Sequence, residues 1–102
     1  MPVEQRHSPR APIDCPVTLL RRRGGPVDGH TEDVGPGGAR IVVDRPLSID
    51  EEFEFNLILG DLHVDGRARV LRQQSSNHYA LRFESLDPAT AHLLTDAATR
   101  TT

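Results

Sequence analysis

The stretch FEFNLILGDLHVDGRARV, residues 53–70, decides the fold class of this 102-residue chain. Apolar and polar residues alternate on both sides of the dipeptide Gly60-Asp61, and such a pair between two alternating segments predicts a tight hairpin turn. A period of two places one face of each strand in a core. The stretch therefore predicts two antiparallel strands with these inward residues: Phe53, Phe55, Leu57, Leu59, Leu62, Val64, Ala68 and Val70.

The segments before this hairpin follow the same period. Apolar residues alternate from Ile13 to Leu19, which predicts a strand in which Pro16 favours an edge position or a bulge. GPGG at residues 35–38 is a turn signal, and it joins a polar strand over residues 27–34 to the apolar segment ARIVV. Four of the predicted strands thus come from residues 13–59.

After the hairpin, QQSSN at residues 73–77 is predicted as a loop, and a last strand follows with Tyr79, Leu81 and Phe83 facing inward. Six short strands without an interspersed helical pattern predict an all-β fold, either an antiparallel barrel or a compact sandwich.

The two ends of the chain differ from the strand region. Residues 1–12 are polar and contain three prolines, which predicts a flexible N-terminal arm. Near the other end, Asp87 can cap a helix that has Pro88 at its first position. We therefore expect one domain, with the strands and a short C-terminal helix in residues 13–97 and a frayed tail over residues 98–102.

Composition excludes several classes of function. The formal net charge of −3 argues against a binder of nucleic acid polymers, which normally carries a net basic surface. No apolar run approaches the roughly 20 residues that cross a bilayer, and the N-terminus does not resemble a signal peptide. These features predict a cytoplasmic protein without membrane insertion.

Catalytic and metal-binding patterns are also missing from the sequence. Cys15 is the only cysteine, so it cannot form an internal disulfide or a cysteine-based zinc cluster. The five histidines do not have metal-ligand spacing, and no serine sits in a nucleophile-elbow sequence. We expect neither an enzyme nor a metal site.

Two spaced motifs suggest a binding function. Arg6 and Arg10 stand four positions apart in the arm, and Asp33 precedes Gly38 in DVGPGG at the turn between two strands. This order of motifs, with the later segments GRARVLR and YALRFESL, resembles the PilZ domain, a β-barrel family that binds the bacterial second messenger cyclic di-GMP. The resemblance covers roughly residues 4–95 and implies a six-stranded antiparallel PilZ-type barrel.

The resemblance implies that cyclic di-GMP is bound by Arg6, Arg10, Asp33, Gly35 and Gly38. Gly35 stands where the family usually has serine, so one hydroxyl is missing. The residue types suit the ligand, because a guanidinium can donate two parallel hydrogen bonds to a guanine, and a carboxylate can accept from the guanine Watson–Crick edge. A chain of this size is then expected to be a stand-alone receptor or adaptor that regulates an unidentified downstream protein.

Two other interpretations remain open. Loss of the serine at Gly35 is also expected in a degenerate PilZ domain that no longer binds the nucleotide and acts only as a protein-interaction module. The run Arg21–Arg23 beside a glycine turn mildly supports a small RNA- or DNA-binding barrel, but a solvated turn is the better interpretation of the run, because the chain lacks interleaved aromatic residues for stacking.

Overall fold

The computed structural model describes the backbone from Ala11 to Thr101 and the side chains up to Asp96. Six antiparallel strands close into a barrel in the order β1-β2-β3-β6-β5-β4, which confirms the predicted fold class and selects the barrel over the sandwich. The elements are β1 (Pro16–Leu20), β2 (Val27–Gly35), β3 (Gly38–Val43), β4 (Glu52–Leu59), β5 (Leu62–Ser75), β6 (His78–Ser85) and α1 (Pro88–Thr101).

The core lies inside the barrel and is built from the inward face of each strand. In the hairpin of β4 and β5, Phe55 pairs with Gly66, so the ring has a small neighbour, and it stacks on Phe83 with 4.8 Å between ring centroids. Alternation thus predicted the hairpin correctly. Eight of the largest fully buried side chains come from five of the strands and the helix: Tyr79, Leu19, Ile41, Leu57, Leu81, Leu94, Val27 and Val34.

Two local predictions are wrong. β5 continues through most of the predicted loop at residues 73–77, leaving only Ser76 and Asn77 as the turn; Asn77 adopts a φ of 66°, which asparagine tolerates. Pro16 does not lie at an edge, because β1 pairs with both β2 and β4. It is instead the first residue of its strand, a position where its missing N–H is tolerated.

Helix α1 begins as the sequence predicts. Asp87 Oδ1 accepts a hydrogen bond from the backbone N–H of Thr90 at 2.8 Å, which caps the helix and lowers the pKa of Asp87 below its ordinary value. Leu94 is fully buried in the barrel core, so the helix covers β2 with an apolar side chain. The flexibility assigned to the N-terminal arm and to residues 98–102 stays a prediction.

One arginine of the run Arg21–Arg23 has a structural role. Arg21 donates two hydrogen bonds to Glu51, from Nε at 2.7 Å and from Nη2 at 3.0 Å, and Ser48 N–H donates to the same carboxylate. Burial favours the neutral carboxyl, but these hydrogen bonds outweigh it and lower the pKa of Glu51. The pair ties the end of β1 to the segment that leads into β4.

Glu51→Gln should therefore destabilise the barrel in a pH-dependent way. A lowered pKa means that the charged carboxylate contributes stability above the ordinary glutamate value of 4.5 and that this contribution is lost as the pH falls through the lowered pKa. We expect a deficit of about 1–2 kcal/mol at pH 7, measured by urea unfolding. The difference in stability between wild type and variant should begin to shrink as the pH falls below 4.5 and disappear below the lowered pKa, and an equal deficit at pH 7 and pH 3 would contradict the assignment.

Candidate functional site

A β-bulge in β2 turns Asp33 to the outside of the barrel. Thr31 pairs with Ile41 in the core, but Asp33 pairs with Arg40, so Glu32 is an extra residue between them. Strict alternation would place Asp33 on the same inward face as Thr31. The bulge shifts the register, and the carboxylate reaches the outer face beside Arg40.

A second bulge does the same for Arg72 in β5. Val70 pairs with Leu81 and faces the core, whereas Arg72 pairs with Ala80, so Leu71 is the extra residue. Paired residues share a face, and Ala80 lies between the two inward side chains Tyr79 and Leu81 on β6. Arg72 therefore points outward, although strict alternation from Val70 would point it into the core.

These shifts produce a lateral row of four residues on the outer face: Asp33, Arg40, Ala80 and Arg72. Each residue pairs directly with the next one in the row, across the neighbouring strands β2, β3, β6 and β5. With strands about 4.8 Å apart, the row spans about 14 Å between its outer Cα atoms. A groove of about 420 Å³ follows it, lined by Ala11, Pro12, Glu32, Asp33, Arg40, Arg72 and Gln74.

Asp33 is held tightly in this groove. Arg40 Nε donates to Asp33 Oδ2 at 2.6 Å, and the Asp33 side chain is 10% exposed while that of Arg40 is 47% exposed. The ion pair fixes the orientation of a nearly buried carboxylate and gives the groove a charged acceptor next to a charged donor. Such a pair of groups can recognise a ligand that carries both donors and acceptors.

Sequence reasoning missed Arg40, although a signal for it was present. The turn consists of Pro36 and Gly37 only, because Gly35 pairs with Gly38. In a hairpin with a two-residue turn, residues equally far from the turn pair with each other. Asp33 and Arg40 stand equally far from it, so the turn already predicted their contact.

The chain enters the barrel beside Asp33. Ala11 and Val34 exchange two backbone hydrogen bonds, with N···O distances of 3.1 and 3.0 Å, and Ala11 is 1% exposed. Next along the chain, the buried Thr31 hydroxyl donates to the carbonyl of Ile13 and accepts from Cys15 N–H. Arg6 and Arg10 lie outside the described residues, and Arg10 immediately precedes this anchor.

The two predicted glycines have different surroundings. A Cβ on Gly38 would lie 2.1 Å from the carbonyl oxygen of Leu81, so the close approach of β3 to β6 requires glycine there whatever the ligand. Gly35 is buried where β2 ends, one residue beyond Val34 and its contact with Ala11. The structure thus brings Asp33, Gly35 and Gly38 together around one turn.

Other candidate features lie elsewhere. Arg22 and Arg23 are exposed at the far end of β1, away from the lateral row, and line a separate depression with Ile49. Between Ala11 and Asp96, no group of three or more histidine, cysteine, aspartate or glutamate side chains is placed to hold a metal ion. In the same part of the chain, no helix has the length and apolar character needed to cross a membrane.

Comparison with known proteins agrees with this geometry. A family model described as PilZ domain matches residues 4–99, which include both arginines of the arm. No curated protein sequence matches the chain.

Two solved structures share the fold. The Bacillus subtilis inhibitor of motility (MotI/DgrA) superposes with a TM-score of 0.83 at 14% identity, over 96% of this chain and 51% of that protein. The chain thus spans about half the length of that relative. The PilZ domain of CeSA from a cellulose-synthesizing bacterium superposes with a TM-score of 0.66 at 20% identity, over 89% of this chain and 95% of that domain.

Proposed function

Because the chain belongs to the PilZ domain family, we propose that it is a cytoplasmic, non-catalytic receptor for cyclic di-GMP. The observation that carries the proposal is the position of Asp33, which is fixed by Arg40 in a groove next to the point where the segment bearing Arg6 and Arg10 joins the barrel. In this proposal Asp33 accepts from the Watson–Crick edge of a guanine, and the arm arginines close over the ligand from outside.

Charge in the groove supports a role for the arm. Glu32 and Asp33 carry two negative charges and Arg40 and Arg72 carry two positive charges, so these lining residues sum to zero. The two arm arginines would add two positive charges, equal in number to the two negative charges of cyclic di-GMP. Binding of the dianion at this groove therefore depends electrostatically on the arm.

The reach of the arm also fits the groove. Ala11 is fixed against Val34, and the five residues from Arg6 to Arg10 extend at most about 17 Å from it. That length matches the lateral row of about 14 Å. Arg10 would act near Asp33 and Arg6 farther along the row, so that binding orders the arm over the face of β2, β3, β6 and β5 and changes the surface offered to a protein partner.

A thermal-shift titration tests this proposal. A ligand at 100 times its Kd stabilises a protein by about 2.7 kcal/mol, which raises the Tm of a domain of this size by roughly 10 °C or more. Cyclic di-AMP is the control, because it has the same phosphates but lacks the guanine edge. No shift with cyclic di-GMP at millimolar concentration would favour the alternative, a degenerate PilZ domain that acts only as an interaction module, for which the missing hydroxyl at Gly35 is the supporting observation.

Gly35→Ser should strengthen binding modestly. A restored neutral hydrogen bond contributes about 0.5–1.5 kcal/mol, which lowers the Kd by roughly two- to twelvefold. Isothermal titration calorimetry of both proteins measures the difference, with the Tm of the unliganded variant as a check on folding. A Kd that stays the same or rises in a variant with unchanged Tm would show that this position does not contribute a hydroxyl contact.

A further inference from the structure

We propose that Arg72 is an additional ligand-binding residue, which holds a phosphate of the cyclic dinucleotide on the outer face of the barrel. The inference rests on the proposed function and deepens it. Arg72 belongs neither to the spaced arginine pair nor to the aspartate–glycine turn, and its position in sequence does not single it out. What singles out Arg72 is its place in the lateral row.

The β5 bulge supplies the first support. Without the bulge, Leu71 would pair with Ala80 and Arg72 would share the face of Val70, which is fully buried in the core. The bulge instead directs Arg72 onto the outer face, into the same groove as Asp33. Bulges are common beside binding sites because they re-aim a side chain, and here two of them aim side chains at one groove.

The second support is that the Arg72 guanidinium is available. Arg21, Arg40, Arg69 and Arg82 each form an ion pair with a carboxylate. Arg72 is exposed and, among the residues that the structure describes, its side chain has neither an ion pair nor a hydrogen bond. A ligand anion can therefore bind it without first breaking an internal contact.

The third support is the division of charge along the row. Arg40 lies beside Asp33 at one end, where the paired donor and acceptor suit a guanine. Ala80 pairs with Arg40 on one side and with Arg72 on the other, which places the two arginine Cα atoms about 10 Å apart. Arg72 thus brings an uncompensated positive charge to the other end, where a phosphate is the complementary group.

Removal of Arg72 would leave the lining residues of the groove with a net negative charge. The remaining charged residues of the groove, Glu32, Asp33 and Arg40, sum to one negative charge. Glu32 Oε2 lies 3.5 Å from His78 Nε2, a contact that offsets the carboxylate only when the histidine is protonated. A dianion approaching the groove of the Arg72→Ala variant would therefore meet lining residues with a net negative charge.

Calorimetric titration of the full chain with cyclic di-GMP tests the inference. Arg72→Ala should raise the Kd about tenfold or more, because a charge-assisted hydrogen bond is lost. Arg72→Lys should stay within about threefold of wild type, since a lysine binds phosphate as a point charge. Arg67→Ala is the matched control: Arg67 is exposed on the same strand, has no ion pair among the described residues, and lines a different depression.

The possible outcomes distinguish a failure of the Arg72 assignment from a failure of the proposed function. An Arg72→Ala variant that binds like wild type overturns the inference and leaves the proposed function intact. A lysine variant as weak as the alanine variant overturns the phosphate assignment. If wild type does not bind, the series is measured in the Gly35→Ser background, and absence of binding there as well rejects both the proposed function and the role of Arg72.

Discussion

Gly38→Ala is expected to destabilise the barrel by at least about 2–3 kcal/mol, which lowers the Tm by roughly 10 °C or more. The new methyl group would lie 2.1 Å from the carbonyl oxygen of Leu81 and 3.2 Å from the Cα of Arg82. Both obstacles are backbone atoms, so a side-chain rotation cannot relieve the overlap. β3 would have to move away from β6, and the hydrogen bonds between the two strands would lengthen. Chemical denaturation followed by circular dichroism measures the loss.

Two other glycines provide controls for this experiment. A Cβ on Gly29 would lie 2.2 Å from the carbonyl oxygen of Val42, so Gly29→Ala should be about as damaging although it lies away from the lateral row. For Gly25 the nearest atom is Arg45 Nη1 at 3.9 Å, so Gly25→Ala should be neutral or stabilising by up to about 1 kcal/mol. A Gly38→Ala protein that melts like wild type yet loses the ligand would show that Gly38 serves binding rather than strand packing.

Arg10→Ala should weaken cyclic di-GMP binding by roughly ten- to a hundredfold, because each bidentate contact between arginine and guanine contributes about 1–3 kcal/mol. The residue directly precedes Ala11 in sequence, and the backbone of Ala11 is fixed against Val34, next to Asp33. Arg6→Ala should weaken binding in the same direction. Calorimetry gives the Kd, and the unliganded Tm should stay within about 2 °C of wild type, since a terminal arm contributes little to the core.

The matched control for the arm is Arg22→Ala, since Arg22 is exposed beside the turn at the opposite end of β1. It removes one positive charge from the protein without touching the groove. If Arg22→Ala and Arg10→Ala lowered affinity equally, the effect would come from net charge alone. Titration curves for Arg10→Ala that superimpose on those of wild type would eliminate the arm from the binding mechanism.

The regular parts of this fold follow from local sequence. The turn at Gly60-Asp61 and the alternation from Phe53 to Val70 gave the hairpin because that segment pairs without a register shift. Asp87 and Pro88 marked the start of the helix because a cap depends on residues within one turn of it. Where near neighbours in sequence set the environment of a residue, the alternation of apolar residues and the turn and cap signals were sufficient to predict its secondary structure.

The bulges could not be predicted in this way. Glu32 and Leu71 are extra only relative to a partner strand, so neither is recognisable from the alternation of its own strand. The end of β5 was missed for the same reason: QQSSN is polar because it projects beyond the core, while its backbone still pairs with β6 as far as Ser75. These irregular positions aim Asp33 and Arg72 at the groove, so the outward direction of both side chains emerged only from the structure, whereas the contact between Asp33 and Arg40 could have been predicted from the turn.

Closure of the barrel has a consequence for how a partner can recognise this protein. β1 pairs with β4 over four consecutive residue pairs, so each of the six strands has a hydrogen-bonded neighbour on both sides. Among the described residues, a partner could add a strand of its own only beside residues 71–75 of β5, which pair with β6 alone, because the rest of the sheet is closed by its neighbours. Elsewhere on the barrel a partner must recognise side chains. In the proposed mechanism, a ligand that draws the arm across β2, β3, β6 and β5 would change the side chains presented on that face while the backbone of the barrel stays in place.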